Sequence, residues 1–390
     1  MTALTGIRAD IPWPAQDLGS GTIGSALLAI ERAHLDLAPW DQAHTALALC
    51  TRSLNVDDRA SLYYGVPAVA FALNAAAGTT SRYARALDQL DTAVTAVTRR
   101  RLDLANRRID TGQHTTASEF DLLYGLTGIG VQLLARHGDC EQLRSILAYL
   151  VRLTLPHPDG LPGWWTDLDP SGRHSEAYPG GHGNTGTAHG ICGPLALLSQ
   201  AALHGITVEG HTEAIIRIRS WLDSIRCWSP GRSWWPEWIT LHNHLSHEAA
   251  SKAPTRPSWC YGLPGQTRAL QLAALALGDP NRRRAAEDAL LAGLSDPAYV
   301  AQLSESGLCH GVAGTLQTTR HVAADCAEPA RFDQVLDSLR VLLDEVPATR
   351  THGLLRGSEG ADLARLADQH NGHTQSGWDA CLLASVRSPR

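Results

Sequence analysis

Apolar positions along the chain fall into two alternating kinds of segment. One kind is small and aliphatic on every side, as in Gly193-Pro-Leu-Ala-Leu-Leu-Ser-Gln-Ala-Ala-Leu203, and predicts a helix buried all round. The other kind places apolar residues at i, i+3 and i+4 and Arg, Asp and Glu on the opposite face. It covers residues 81–105, 141–153, 212–228, 282–294 and 331–346 and predicts helices with one wet side. No stretch alternates with a period of two convincingly enough to predict a strand. The fold class expected is therefore all-α.

A recurring glycine pair punctuates this pattern. Gly21-Thr-Ile-Gly24, Gly65-Val-Pro-Ala68, Gly125-Leu-Thr-Gly128, Gly190-Ile-Cys-Gly193, Gly262-Leu-Pro-Gly265, Gly311-Val-Ala-Gly314 and Gly357-Ser-Glu-Gly360 each open an aliphatic segment. Seven units of unequal length imply a repeat architecture with insertions in its connections. Buried inner helices paired with amphipathic outer ones predict an α/α toroid of seven inner and seven outer helices. The chain then reads as a single domain over 1–390, with 1–17 as a lead-in. Residues 156–187 and 229–258, rich in Trp, Pro, Gly and His, interrupt the pattern. They are expected to border the mouth of the ring, since long loops without regular structure are usually functional.

Aligning the units on their first glycine brings chemistry to fixed offsets. One position before it stand Tyr64, Tyr124, His189, Tyr261, His310 and Arg356; two before it stand Cys260 and Cys309. Inner helices of a toroid start on one side, so these residues should converge where helix N-termini favour thiolates and developing oxyanions. Core packing gives no reason for two cysteines to share an offset. Two thiolates and one imidazole suit a zinc ion with its fourth position open, as in catalytic sites. Cys50, Cys140, Cys192, Cys227, Cys326 and Cys381 lack this setting and are expected to be structural. The run His242, His244 and His247 is expected to line the rim.

Composition narrows the partners. Net charge is -6, hydrophobic residues make up 44% and charged ones 18% of 390 residues, which describes an ordinary soluble protein and disfavours nucleic acid. The start lacks a signal-peptide profile, no run is long and apolar enough to span a bilayer, and eight scattered cysteines form no disulfide framework. A cytoplasmic protein is expected, with any membrane attachment made through partners.

The order Asp121-x-x-Tyr-Gly-x-x-Gly, Ala-His189-Gly-x-x-Gly, Trp-Cys260-Tyr-Gly-x-x-Gly, Cys309-His310-Gly-x-x-Gly and a late Gly-x-x-Gly resembles the lanthionine synthetase C-like (LanC) cyclases from Gly21 to about Trp378. The resemblance implies zinc held by Cys260, Cys309 and His310. It also implies catalytic roles for His189, Asp121, Arg256 and Tyr261, with Trp259 and Tyr124 in the substrate pocket. Ala68 in place of a glycine departs from the pattern and bears on how tightly that helix packs. With no dehydratase region ahead of the cyclase unit, the chain reads as the stand-alone, class I type.

The implied reaction is Michael addition of a peptide cysteine to dehydroalanine or dehydrobutyrine, giving lanthionine or methyllanthionine in a lantibiotic-type precursor made of leader and core. A free thiol, with a pKa of about 8.5, is mostly protonated at neutral pH, which is why zinc is needed. Arg256, supported by Tyr261, suits the enolate oxygen, and His189 suits protonation of the α-carbon. Asp121 either orients His189, receives the thiol proton or merely caps a helix. Partners implied are the dehydrated precursor peptide, a separate dehydratase and an exporter. Alternatives are a LanC-like enzyme that adds a small thiol such as glutathione to dehydroamino acids, and a leader-peptide-binding scaffold.

Overall fold

The computed structural model describes residues 14–385 apart from residues 52, 247 and 350; His247 and most of the lead-in thus lie outside the described residues. Seven inner helices run Thr22–His34, Val66–Ala77, Leu126–His137, Cys192–Leu203, Leu263–Ala276, Val312–Ala324 and Ser358–Gln369. Each packs on the next, and the last packs on the first, so the ring closes. Six outer helices among the described residues back the first six inner ones: Trp40–Cys50, Ala84–Asp110, Glu141–Leu153, His211–Ser224, Pro280–Leu294 and Asp333–Glu345. The chain is an α/α toroid.

The amphipathic reading accounts for the outer layer. In Glu141–Leu153 the residues Leu143, Ile146, Leu147 and Leu150 are fully buried, each contributing roughly 1.5–3 kcal/mol by leaving water. Trp40–Cys50 went unpredicted because its buried stripe is only Ala43, Leu47 and Cys50.

Backbone bonds between units form a belt at one end of the ring. Leu355 N donates to Gly19 O (2.8 Å), Cys309 N to Leu355 O (2.8 Å), Cys260 N to Cys309 O (3.2 Å) and Ala188 N to Cys260 O (3.3 Å). Leu122 N donates to Ala188 O (3.2 Å) and Leu18 N to Tyr63 O (2.9 Å), while the Ser61 hydroxyl reaches Leu123 O (2.7 Å). In the motifs that have one, the second glycine serves this tight turn. A Cβ on Gly314 would lie 1.7 Å from Leu308 O, and one on Gly265 would lie 2.0 Å from Trp259 O. Ala68 escapes the clash because Gly65 takes φ +72°, a left-handed turn the other motifs do not use, and Ala68 packs fully buried.

The bore of the ring is filled by the chain's own residues 374–385. The buried Glu31 carboxylate accepts from Gln375 N and Ser376 N. Gln200 Nε2 donates to Leu383 O and Ser385 O, Arg268 Nε to Ala384 O, and Tyr63 OH to Cys381 O.

Two short antiparallel pairs correct the expectation of no strands: His182–Asn184 with Trp238–Thr240, and Cys227–Ser229 with Arg232–Trp234. Three-residue strands are too short to show a period, and the second pair also ends its preceding helix at Ser224 rather than 228. The first pair ties the two insertions to each other. Their tryptophans Trp164, Trp165, Trp234 and Trp235 are buried. Trp165 Nε1 donates to Gly180 O within its own insertion, whereas Trp235 Nε1 donates to Leu222 O and Trp164 meets Trp221 edge-on at 5.3 Å, so these last two rings dock the insertions onto the outer helix His211–Ser224.

Candidate active site

The belt makes neighbours of residues far apart in sequence. Because Cys260 and Cys309 sit on adjacent units joined by a direct backbone bond, their side chains enter the same space. One donor atom each from Cys260, Cys309 and His310 lies within 4.8 Å of the others. The two cysteines are 6% and 5% exposed, and the His310 side chain is 11% exposed. A bond from the Cys309 thiol and the facing His310 hold the Cys260 thiol well below the ordinary range, against burial. The Cys309 thiol is pushed up by the same contact and by burial. Two sulfurs and an imidazole nitrogen, with one sulfur already inclined to ionise, are a donor set that fits zinc.

Glu305, absent from the sequence reading, completes this corner. Its Oε1 lies 2.7 Å from His310 Nε2, which leaves Nδ1 as the nitrogen available to a metal and fixes the ring as carboxylates behind metal-bound histidines do. The bond from His310 holds the Glu305 carboxyl below its ordinary value, against burial. The same oxygen lies 3.8 Å from Arg256 Nη1, an ion pair that is roughly half exposed. Glu305 stands five residues before His310 in a turn, where neither periodicity nor the motif marks it.

Four of the residues just ahead of a first glycine line up ring beside ring. Tyr64 lies on Tyr124 (5.2 Å, 9°), Tyr124 on His189 (5.4 Å, 16°) and His189 beside Tyr261 (6.4 Å, 35°). Trp238 from the second insertion meets Tyr261 edge-on at 5.9 Å. Gly186 makes room for the Tyr261 ring, since a Cβ there would lie 2.7 Å from it. Asn184, a second residue the sequence did not reveal, donates to Tyr261 OH at 3.2 Å, and burial pushes the Tyr261 phenol far above its ordinary value.

Asp121 is fully buried. Its Oδ1 accepts from Tyr124 N (2.6 Å) and Gly125 N (2.8 Å), and its Oδ2 takes the His189 Nδ1 bond at 2.7 Å. One oxygen therefore closes the turn that leads into the helix Leu126–His137, whose cap is Gly125 with no side-chain bond, and the other faces His189. With Nδ1–H donated to Asp121, the other nitrogen of His189 is the one that can meet a substrate.

Trp259 lies apart from this group. It is 1% exposed and its indole donates to Leu382 O at 2.8 Å, which places it against the C-terminal segment. At the rim, His242 pairs with exposed Glu248 (3.4 Å) and His244 lies 5.4 Å from Trp165. The remaining cysteines are free thiols; burial pushes Cys50 up to about 11 and Cys192 and Cys381 further, which makes them inert.

A model for lanthionine synthetase C-like proteins matches residues 12–383. The nisin biosynthesis protein NisC of Lactococcus lactis subsp. lactis is 22% identical over 315 residues, covering 78% of this chain and 72% of its own. Among solved structures, a nisin cyclase superposes with a TM-score of 0.82 at 21% identity, over 96% of this chain and 93% of that one.

Proposed function

Because the chain belongs to the lanthionine synthetase C-like family, we propose that it closes thioether rings in a ribosomally made peptide. A cysteine thiol of the peptide adds to the β-carbon of a dehydroalanine or dehydrobutyrine. The reading is carried by one observation: Cys260, Cys309 and His310 meet within 4.8 Å on the belt that also carries His189. Zinc bound by these three would ionise the incoming thiol at neutral pH.

The chain's own residues do the rest. As the β-carbon gains sulfur, negative charge builds on the substrate's carbonyl oxygen, and the Arg256 guanidinium is the cation suited to meet it. Tyr261, kept protonated by burial and anchored by Asn184, acts as a donor and not as a base. His189 delivers a proton to the α-carbon, and Asp121 holds the ring and stabilises its charged form. Sulfur loses one proton and the α-carbon gains one, so product and substrate have the same mass. Asp121, sealed from solvent with both oxygens bonded, orients His189 and does not receive the thiol proton.

The substrate's dehydroamino acids require a prior dehydration, so we read the protein as the class I-type cyclase that acts after a dehydratase. No helix among the described residues is long and apolar enough to cross a membrane. The test is mass spectrometry of a dehydrated precursor after thiol alkylation, with and without the protein. Loss of alkylatable cysteines at constant mass is expected. Unchanged thiols would end the reading, and a gain of one glutathione per site would move it to external thiol addition.

A further inference from the structure

We propose that His114, His157 and Asp159 form a second divalent-metal site, remote in sequence from the Cys260 cluster, that takes zinc or a similar borderline ion. His114 follows the long outer helix Ala84–Asp110, while His157 and Asp159 open the first insertion. One nitrogen from each ring and a carboxylate oxygen lie within 4.8 Å of one another. His157 Nδ1 is 2.8 Å from Asp159 Oδ1, and His114 Nε2 is 3.0 Å from Asp159 Oδ2.

The surroundings fix which atoms are donors. His157 Nε2 lies 3.0 Å from Gly112 O, a partner that accepts only, so Nε2 carries that ring's hydrogen. In the neutral imidazole Nδ1 then presents a lone pair to a carboxylate oxygen. That meeting is repulsive unless a cation, either a proton or a metal ion, stands between them. Gly112 also plays the outer-shell part that sets the tautomer of metal-bound histidines. Asp159 is held by its own turn, with Leu161 N donating to Oδ1 at 3.0 Å. The two rings stack at 4.0 Å and 19°, so seating an ion requires one of them to swing. His114 has that freedom, because its buried Nδ1 makes no hydrogen bond. A carboxylate with two imidazoles suits zinc and leaves a position for water.

An ion here would pin the start of the first insertion to the ring's outer layer. The far end of that insertion carries Asn184, which anchors Tyr261, so the site would brace the mouth without touching the reacting atoms. This inference does not depend on the cyclase reading.

Full-length protein loaded with zinc at pH 8, where free imidazole is neutral, and then dialysed should hold two zinc per chain by mass-spectrometric metal analysis. Cys309→Ala should hold one. Adding His157→Ala or Asp159→Asn to that variant should remove the last equivalent and abolish the protection from limited proteolysis that zinc gives to residues 156–187. Asp159→Asn keeps the shape of an exposed side chain, so it tests the site if His157→Ala does not fold. Metal content and proteolysis unchanged by both substitutions, or a single zinc in the parent lost entirely with Cys309→Ala, would overturn the proposal.

Discussion

His189 Nδ1 and Asp121 Oδ2 lie 2.7 Å apart across the boundary between the third and fourth units of the ring. The other Asp121 oxygen closes the turn that starts the third inner helix. One carboxylate therefore couples the build of the ring to the aim of its candidate acid. Asp121→Asn should keep the turn, since the amide oxygen can still accept both N–H bonds, but its NH2 would force the His189 hydrogen onto Nε2. We expect a melting temperature close to the parent's and cyclisation slowed by about 10²-fold or more. Nitrogen NMR of the His189 ring should report the changed tautomer; an unchanged one would remove Asp121 from this role.

Glu305→Gln retains bulk but loses the charge beside His310. Zinc affinity, read by competition with a chromogenic chelator, should drop by about 10- to 100-fold. His310→Ala should lose the metal and the activity together. Full zinc with no activity in His310→Ala would refute its assignment as a ligand.

Arg256 makes a loose ion pair, roughly half exposed, so Arg256→Ala should change stability by less than about 0.5 kcal/mol. Its cost should fall on turnover, by about 10²-fold, with zinc content intact. Parental turnover would mean that another donor meets the enolate.

The way the sequence could be read explains which parts it hid. Glycine pairs were legible because a Cβ at Gly265 or Gly314 would collide with the chain's own carbonyl, so the motif records a steric rule at every turn but the one that carries Ala68. Cys260, Cys309 and His310 inherited that register. Glu305 reaches the site from a turn and Asn184 from a short strand, both outside that register, and their roles come from where the neighbouring unit happens to lie. Trp259 shares the register yet faces the C-terminal segment, because adjacent residues of one turn point to different sides. The short strands were hidden for want of length.

Alkaline pH should weaken the fold through its buried thiols. Cys50 ionises at about 11 in the folded protein against an ordinary 9.0, and Cys192 and Cys381 are raised as well. A raised folded pKa means the unfolded chain loses its proton first. Stability is thus complete below pH 9 and falls as pH rises toward 11. The melting temperature followed over that window should decline, and Cys50→Ala should decline less steeply than the parent.

Glu31, 1% exposed, binds Gln375 N and Ser376 N. Glu31→Ala would take the acceptor from the buried Ser376 N–H and hydroxyl and from the part-buried Gln375 N–H, and should cost at least about 2 kcal/mol, measured by urea unfolding.

That anchor and the link from Leu355 to Gly19 give the molecule a keystone made last. The first unit must wait, one flank of its helix uncovered, until residues 355–376 have been made. A product cut short before residue 374 would carry an open, greasy bore for chaperones and proteases to find.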